Sequence, residues 1–134
     1  MEIARVFDAA LRKAGAVWVS VPEHPARLVW TVWRDRALWL LTAPGEQQVP
    51  GLAGGVTCTV VLRSPSTHSR LLAARAVAHV VPPGPEREAA LAALAAARLN
   101  APADAGRRWA AATVYRLDVA ADRPVDDSRD ANLG

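Results

Sequence analysis

The stretch RLVWTVWRDRALWLLT, from Arg27 to Thr42, decides the fold of this chain. It consists of two apolar arms around a short polar turn at Asp35 and Arg36, and it carries three of the five tryptophans. Successive side chains of a strand point to opposite faces, and both faces of the first arm are largely apolar. The pattern therefore predicts that this first arm is a strand buried on both sides, inside a barrel or between a sheet and a partner subunit.

Length and composition indicate one globular domain. The 134 residues are enough to bury a hydrophobic core, and fractions of 51% hydrophobic and 22% charged residues are ordinary for a soluble protein. No window approaches the ~20 apolar residues that a membrane-spanning helix needs. Charged residues interrupt the apolar ones in the first 15 positions, which argues against a signal peptide. We expect a cytoplasmic protein with no membrane partner.

The basic residues do not indicate a nucleic-acid partner. The formal net charge is +3, but Lys13 is the only lysine among 16 basic residues, and the arginines are scattered along the chain. Abundant alanine, proline and arginine are typical of a GC-rich genome. The single cysteine, Cys58, excludes an internal disulfide, and its place in an apolar strand predicts a buried, chemically quiet thiol.

Periodicity and turn residues predict a mainly β, α+β fold with six antiparallel strands and two helices. The expected elements are an N-terminal helix ending at Gly15, strands at Ala16–Val21, the two arms of the hairpin, Val56–Arg63, Arg70–Val81 and Thr113–Val119, and a helix at Glu86–Leu99 before the last strand. A small barrel hides strands with two apolar faces and removes exposed edges. We expect one domain over residues 1–119 and a flexible tail over 120–134, where aspartates dominate and apolar residues are few.

Sequence motifs for catalysis are absent, so the catalytic residues stay unassigned. His24, His68 and His79 are far apart in the sequence, and none has a partner at metal-ligand spacing. No metal site is expected. The chain also lacks a G-x-S-x-G elbow, a phosphate-loop pattern and a G-x-G-x-x-G fingerprint.

The order of these elements, together with their sequences, resembles a known family. The arms LVWTVW and LWLLT, the strands VTCTVVL and RLLAARAVAHVV, a helix and the final strand VYRLDV are similar to the flavin-binding split barrels of the pyridoxamine 5′-phosphate oxidase-like superfamily. The resemblance extends over about Val17 to Val119. It implies a six-stranded split barrel, a homodimer, and FMN or a deazaflavin coenzyme in the crevice between subunits, in an oxidoreductase of unknown substrate.

The resemblance also implies which residues border the cofactor. The strand along the ring is matched by Trp30, Thr31 and Val32. The strand end beside the ribityl chain and phosphate is matched by Leu41, Thr42 and Ala43, and the phosphate-binding segment includes Gln47 and Gln48. The loop that approaches the cofactor of the partner subunit contains Trp109. Gln48 stands where the family has a lysine, and a neutral amide replaces the charge that neutralises a phosphate. Arginines such as Arg34, Arg36, Arg107 and Arg108 are candidates to supply that charge.

Two other functions stay open at this point. A split barrel that has lost its cofactor would act as a binding module for a small molecule or a partner protein, and Gln48 favours that alternative. Haem binding, known among relatives of the superfamily, would require a histidine that faces the crevice.

Overall fold

The chain folds into a nearly closed antiparallel barrel with a helix on its outer side. The computed structural model describes residues 16–63, 71–97 and 109–124, with only the main chain for residues 63, 71 and 121–124. The elements are β1 (Ala16–Ser20), β2 (Arg27–Trp30), β3 (Val32–Arg34), β4 (Ala37–Thr42), β5 (Thr57–Arg63), β6 (Leu71–Val80), α1 (Pro85–Ala97) and β7 (Thr113–Pro124).

The strand order explains why the barrel is split. Around the sheet the strands follow the order β2-β1-β5-β6-β7-β4-β3, and every paired neighbour is antiparallel. The two edge strands, β2 and β3, are consecutive in the sequence and are joined through Thr31. The sheet therefore curls until its two edge strands meet at Thr31. On either side of Thr31 the two edges separate, and the gap between them is the seam of the barrel.

The prediction of six strands and two helices needs correction: the described residues form seven strands and one helix. The first arm of the hairpin, predicted as one strand, is divided at Thr31, because β2 pairs with β1 whereas β3 pairs with β4. Thr31 is only 3% exposed, and its Oγ1 has no hydrogen-bond partner among the described residues. Its hydroxyl group therefore makes no hydrogen bond that would hold the break.

The structure describes only part of what was predicted for the two ends of the chain. The predicted N-terminal helix lies outside the described residues. At the other end, β7 continues to Pro124, which pairs with Ala74 of β6, so the last strand is longer than the predicted Thr113–Val119. The remainder of the predicted tail, residues 125–134, lies outside the described part of the chain.

The polar turn of the hairpin is confirmed. Arg34 pairs with Ala37, which leaves a loop of two residues, and both of these, Asp35 and Arg36, have positive φ angles of 52° and 60°. Two consecutive left-handed residues are the mark of a type I′ turn, whose twist matches that of the strands it joins. The turn thereby fixes the register of β3 against β4.

The two buried faces predicted for the first arm of the hairpin are found instead in β4, the second arm. Leu38 and Leu40 point into the barrel, where they join the interior core, while Ala37, Trp39 and Leu41 point outward beneath α1. In β2, by contrast, only Val29 is buried, and Leu28 and Trp30 are 55% and 45% exposed. One arm is thus covered on both sides within this chain, and the other keeps an apolar face open.

The helix covers the outer face of β4 because its apolar residues are spaced to form one stripe. Ala90 and Leu94, four positions apart, are buried, and Leu91 and Ala95 pack beside them. Pro85 opens the first turn, which also carries Glu86 and Glu88, where the helix dipole favours negative charge. Helix and strand together enclose a second core outside the barrel.

Cys58 is buried in the barrel interior, 1% exposed, as the sequence predicts. Burial disfavours the charged thiolate and raises the pKa of this thiol from 9.0 to about 11. The same cause raises the pKa of Tyr115, whose hydroxyl donates a hydrogen bond to the carbonyl of Leu52 at 3.2 Å. Both groups are therefore neutral in the folded protein at physiological pH.

The buried thiol makes stability depend on alkaline pH. The pKa of the thiol is higher in the folded than in the unfolded protein. The stability that the buried neutral thiol contributes is therefore fully present below pH 9 and is lost as the pH rises towards about 11. The loss is on the order of 3 kcal/mol, from about 1.4 kcal/mol per pKa unit. We expect the difference in unfolding free energy between the wild type and Cys58→Ala to shrink by about that amount between pH 8 and 11, as measured by denaturant titration. Tyr115→Phe keeps the thiol and serves as a control, because its unfolding free energy should still fall with pH by the amount due to the thiol. If the difference in unfolding free energy between the wild type and Cys58→Ala stays constant with pH, the account is contradicted.

Candidate ligand cleft at the barrel seam

The seam between β2 and β4 is closed by a side chain. Val32 pairs with Trp39, and the same register would bring Trp30 opposite Leu41. The carboxamide of Gln47 lies between them instead. Its Oε1 accepts a hydrogen bond from the main-chain nitrogen of Trp30 at 2.7 Å, and its Nε2 donates to the carbonyl oxygens of Trp30 and Leu41, both at 3.0 Å. The amide thus takes the place of a strand residue.

A tight turn after β4 returns the chain to the seam. Pro44 and Gly45, with φ of 79° at the glycine, occupy the central positions of a β-turn closed by a hydrogen bond from the Glu46 nitrogen to the Ala43 carbonyl at 2.9 Å. Proline followed by a residue of positive φ suits a type II turn. The main-chain nitrogen of Ala43 also donates to the Gln47 carbonyl at 3.4 Å. Gln47 is therefore carried back beside the strand it has just left.

A cleft of about 320 Å³ opens on the outer side of this seam. Its lining residues come from β2, the end of β4, the turn after β4, α1 and the turn before β7, and they are Leu28, Trp30, Leu41, Gly45, Glu46, Gln47, Leu94 and Trp109. Most of these side chains are apolar, and Glu46 is the one ionisable group that the described residues place there. The cleft combines aromatic and aliphatic walls with the amide of Gln47.

Arg87 on α1 holds Trp109 beside the cleft. Its Nη2 donates to the carbonyl oxygens of Trp109, Ala110 and Ala112 at 3.2, 3.0 and 2.8 Å. The Arg87 side chain is 11% exposed, so these charge-assisted bonds form largely out of water. Trp109, itself 1% exposed, is fixed by the helix on one side and by the start of β7 on the other.

The structure brings together four of the nine residues that the family resemblance assigns to a cofactor. Trp30, Leu41, Gln47 and Trp109 line the same cleft, and all four belong to one chain. The other five lie elsewhere: Thr31 is buried at the strand break, Val32 and Ala43 pack against the core beneath α1, Thr42 is half-buried at the end of β4, and Gln48 is exposed. The amide at the site is thus that of Gln47.

Four lining residues were not predicted from the sequence. Gly45 and Glu46 lie in the turn after β4, and the Pro44–Gly45 pair was the signal that the chain reverses there. Leu94 lies on the buried stripe of α1, which the helical spacing indicates. Leu28 was placed on an apolar strand face, but its position at the edge of the sheet depends on the break at Thr31.

Neither of the two histidines in the described part of the chain contributes to the cleft. His24 is exposed, and its ring lies against Gly51, where an added Cβ would come within 2.5 Å of it. The Nε2 of His79 lies 2.9 Å from a carboxylate oxygen of Asp118 on the outside of β6 and β7. His68 lies outside the described residues. Neither described histidine lines the cleft, so the structure offers no support for haem there.

Comparisons with known proteins assign no family to the chain: no family model matches it, and neither curated proteins nor solved structures gave a match. Within the described residues, no group of three or more histidine, cysteine or acidic side chains is placed to hold a metal ion. No described helix is long and apolar enough to cross a membrane. The chemistry of the cleft is therefore the basis for assigning a function.

The seam contact predicts a difference between two adjacent glutamines. Gln47→Ala removes three hydrogen bonds to the main chain and leaves the seam unpaired, so we expect the free energy of unfolding to fall by about 1–3 kcal/mol. Gln48→Ala changes an exposed neighbour of the same type and should cost less than about 0.5 kcal/mol. Urea unfolding followed by tryptophan fluorescence measures both, and equal losses would show that the amide does not hold the seam.

Proposed function

We propose that this protein binds a flavin-type ring in the cleft at the barrel seam and is a flavin- or deazaflavin-dependent oxidoreductase of the split-barrel type. The observation that carries the proposal is that Trp30 and Trp109, which the family resemblance places next to such a ring, line one cleft together with Leu41 and Gln47. The two tryptophans are far apart in the sequence, and the fold brings them to one place.

The walls of the cleft suit the ring part of a flavin. A flat aromatic ring gains from stacking on tryptophan and from burial against aliphatic side chains, which Leu28, Leu41 and Leu94 offer here. Ligand pockets commonly measure ~300–1,000 Å³, so a cleft of about 320 Å³ has room for a ring but not for an entire coenzyme. When bound, a flavin supplies the hydride or electron transfer itself, and the protein binds and orients it.

The phosphate group of FMN finds less support. None of the described lining residues is a cation, and Glu46 contributes a carboxyl group to the same cleft. Gln48, at the place of the family's lysine, is exposed and neutral, and Arg107 and Arg108 lie outside the described residues. The described residues therefore fit the ring of FMN or of a deazaflavin better than the phosphate, and riboflavin should bind at least as tightly as FMN.

Two exposed tryptophans provide a test with a matched control. Trp30→Ala removes one wall of the cleft, and we expect riboflavin affinity to fall about tenfold to hundredfold, from the roughly 1–3 kcal/mol that stacking on an aromatic side chain contributes. Trp18 is exposed to a similar degree, 41% against 45%, but does not line the cleft, so Trp18→Ala should leave affinity unchanged. Quenching of flavin fluorescence during titration measures both.

If neither riboflavin nor FMN binds the wild type, the flavin proposal fails, and the cofactor-free binding module becomes the better account. The neutral Gln48 and the lack of a described cation in the cleft are the observations that favour that second candidate. Equal losses of affinity in Trp30→Ala and Trp18→Ala would show that the ring does not occupy this cleft.

A further inference from the structure

We propose that the ligand of the cleft carries an amide edge, an N–H next to a C=O, which pairs with the main chain of Leu28. This inference rests on the proposed function, because it assumes that the cleft is a ligand site. It adds a chemical requirement that aromatic walls alone do not impose. Only main-chain groups of β2 that face the seam are available to such a ligand.

The direction of these groups follows from the hydrogen bonds farther around the sheet. The nitrogen of Ala78 donates to the carbonyl of Val56 at 2.9 Å, so the Val56 carbonyl points towards β6, whereas the Val56 nitrogen donates to the carbonyl of Ala53 at 3.2 Å. Main-chain groups alternate sides along an antiparallel strand. Val61, five positions on, therefore directs its groups towards β1, where it pairs with Trp18. Trp18 in turn directs its own groups towards β5.

The same alternation carries over to β2. Since Trp18 faces β5, Val17 faces β2 and exchanges hydrogen bonds with its partner Val29. The main-chain groups of Leu28 and Trp30 must then point away from β1, towards the seam. The contacts of Trp30 agree with this, because both its nitrogen and its carbonyl oxygen bond to the Gln47 amide.

Leu28 has no such partner among the described residues. In the register of the hairpin it would be opposite Ala43, but the groups of Ala43 are engaged within the turn after β4, with Gln47 and Glu46. Leu28 is more than half exposed and lines the cleft. The cleft therefore offers one main-chain donor and one main-chain acceptor, side by side on a strand edge.

The contact of Gln47 with Trp30 shows what fits this edge. A planar carboxamide pairs there with the N–H and the C=O of a single residue. Leu28 is two residues away, about 7 Å along the strand, and offers the same pair of groups. Because Gln47 already occupies the next edge position, the free edge accommodates one amide and not an extended peptide. Cyclic amides and imides combine this edge with a flat ring, and the pyrimidine-dione edge of a flavin is one of them.

A matched pair of ligands tests the requirement. Riboflavin carries a ring N–H between two carbonyl groups, and 3-methylriboflavin replaces that hydrogen with a methyl group while it keeps the ring. We expect the methylated ring to bind about tenfold more weakly, because the Leu28 carbonyl then loses its donor. Equal affinities for the two rings would overturn the amide proposal and leave the proposed function standing. No binding of either ring would overturn the proposed function, and this inference with it.

A main-chain variant tests the same contact from the side of the protein. Leu28→Pro removes the N–H that faces the cleft, and proline is tolerated at an edge position whose N–H points away from the sheet. Leu28→Ala shortens the same side chain and keeps the N–H. We expect Leu28→Pro to bind riboflavin about tenfold more weakly than Leu28→Ala, and equal affinities would contradict the proposal. Thermal unfolding checks that both variants fold, and if the proline variant does not, the ligand pair alone decides.

Discussion

The hydrogen bonds between the Gln47 carboxamide and the main chain of Trp30 and Leu41 are the constraint on which the barrel seam depends. If the first arm were one continuous strand, it would pair with β4 along its whole length. The strand β1 would then lack the neighbour that β2 provides at the edge of the sheet. Dividing the arm at Thr31 lets one half pair with each edge of the sheet. As a result, Trp30 and Leu41 no longer pair with each other through their main chains. The Gln47 amide forms hydrogen bonds to both residues instead, and the two strands stay farther apart there than paired strands would.

The presence of a side-chain amide in place of a strand pair has a consequence for the outer side of the barrel. An amide from a turn holds two strands apart where a strand pair would have brought them together, so space remains between β2, the turn after β4 and the helix. Arg87 fixes Trp109 at the far side of this space, and the core beneath α1 holds the end of β4 in place. These contacts hold two walls of the cleft in place, and the side chain of Gln47 closes the seam beside it. Preorganised walls of this kind reduce the entropy that a ligand must lose on binding.

Much of the fold could be predicted from the sequence. ALWLLT was predicted as the second arm of the hairpin, and the polar pair Asp35–Arg36 predicted the turn, but the two buried faces expected of the first arm occur in the second. The break at Thr31 could not be predicted, because LVWTVW continues its alternation without a proline or glycine to interrupt it. It results from closure of the sheet and from a contact with Gln47, 17 residues away, which a local pattern does not record. The family resemblance implied both Gln47 and Gln48 as cofactor-binding residues, and of the two only Gln47 lines the cleft.

Amide hydrogen exchange at three consecutive residues of β2 tests this account of the seam most directly. Exchange measured by NMR should be slow at Val29, whose N–H bonds to β1, and slow at Trp30, whose N–H bonds to Gln47. It should be fast at Leu28, whose N–H faces the open cleft. In Gln47→Ala the protection of Trp30 should fall towards that of Leu28, while that of Val29 persists. Slow exchange at Leu28, or fast exchange at Trp30 in the wild type, would contradict the geometry from which both the seam and its ligand site are inferred.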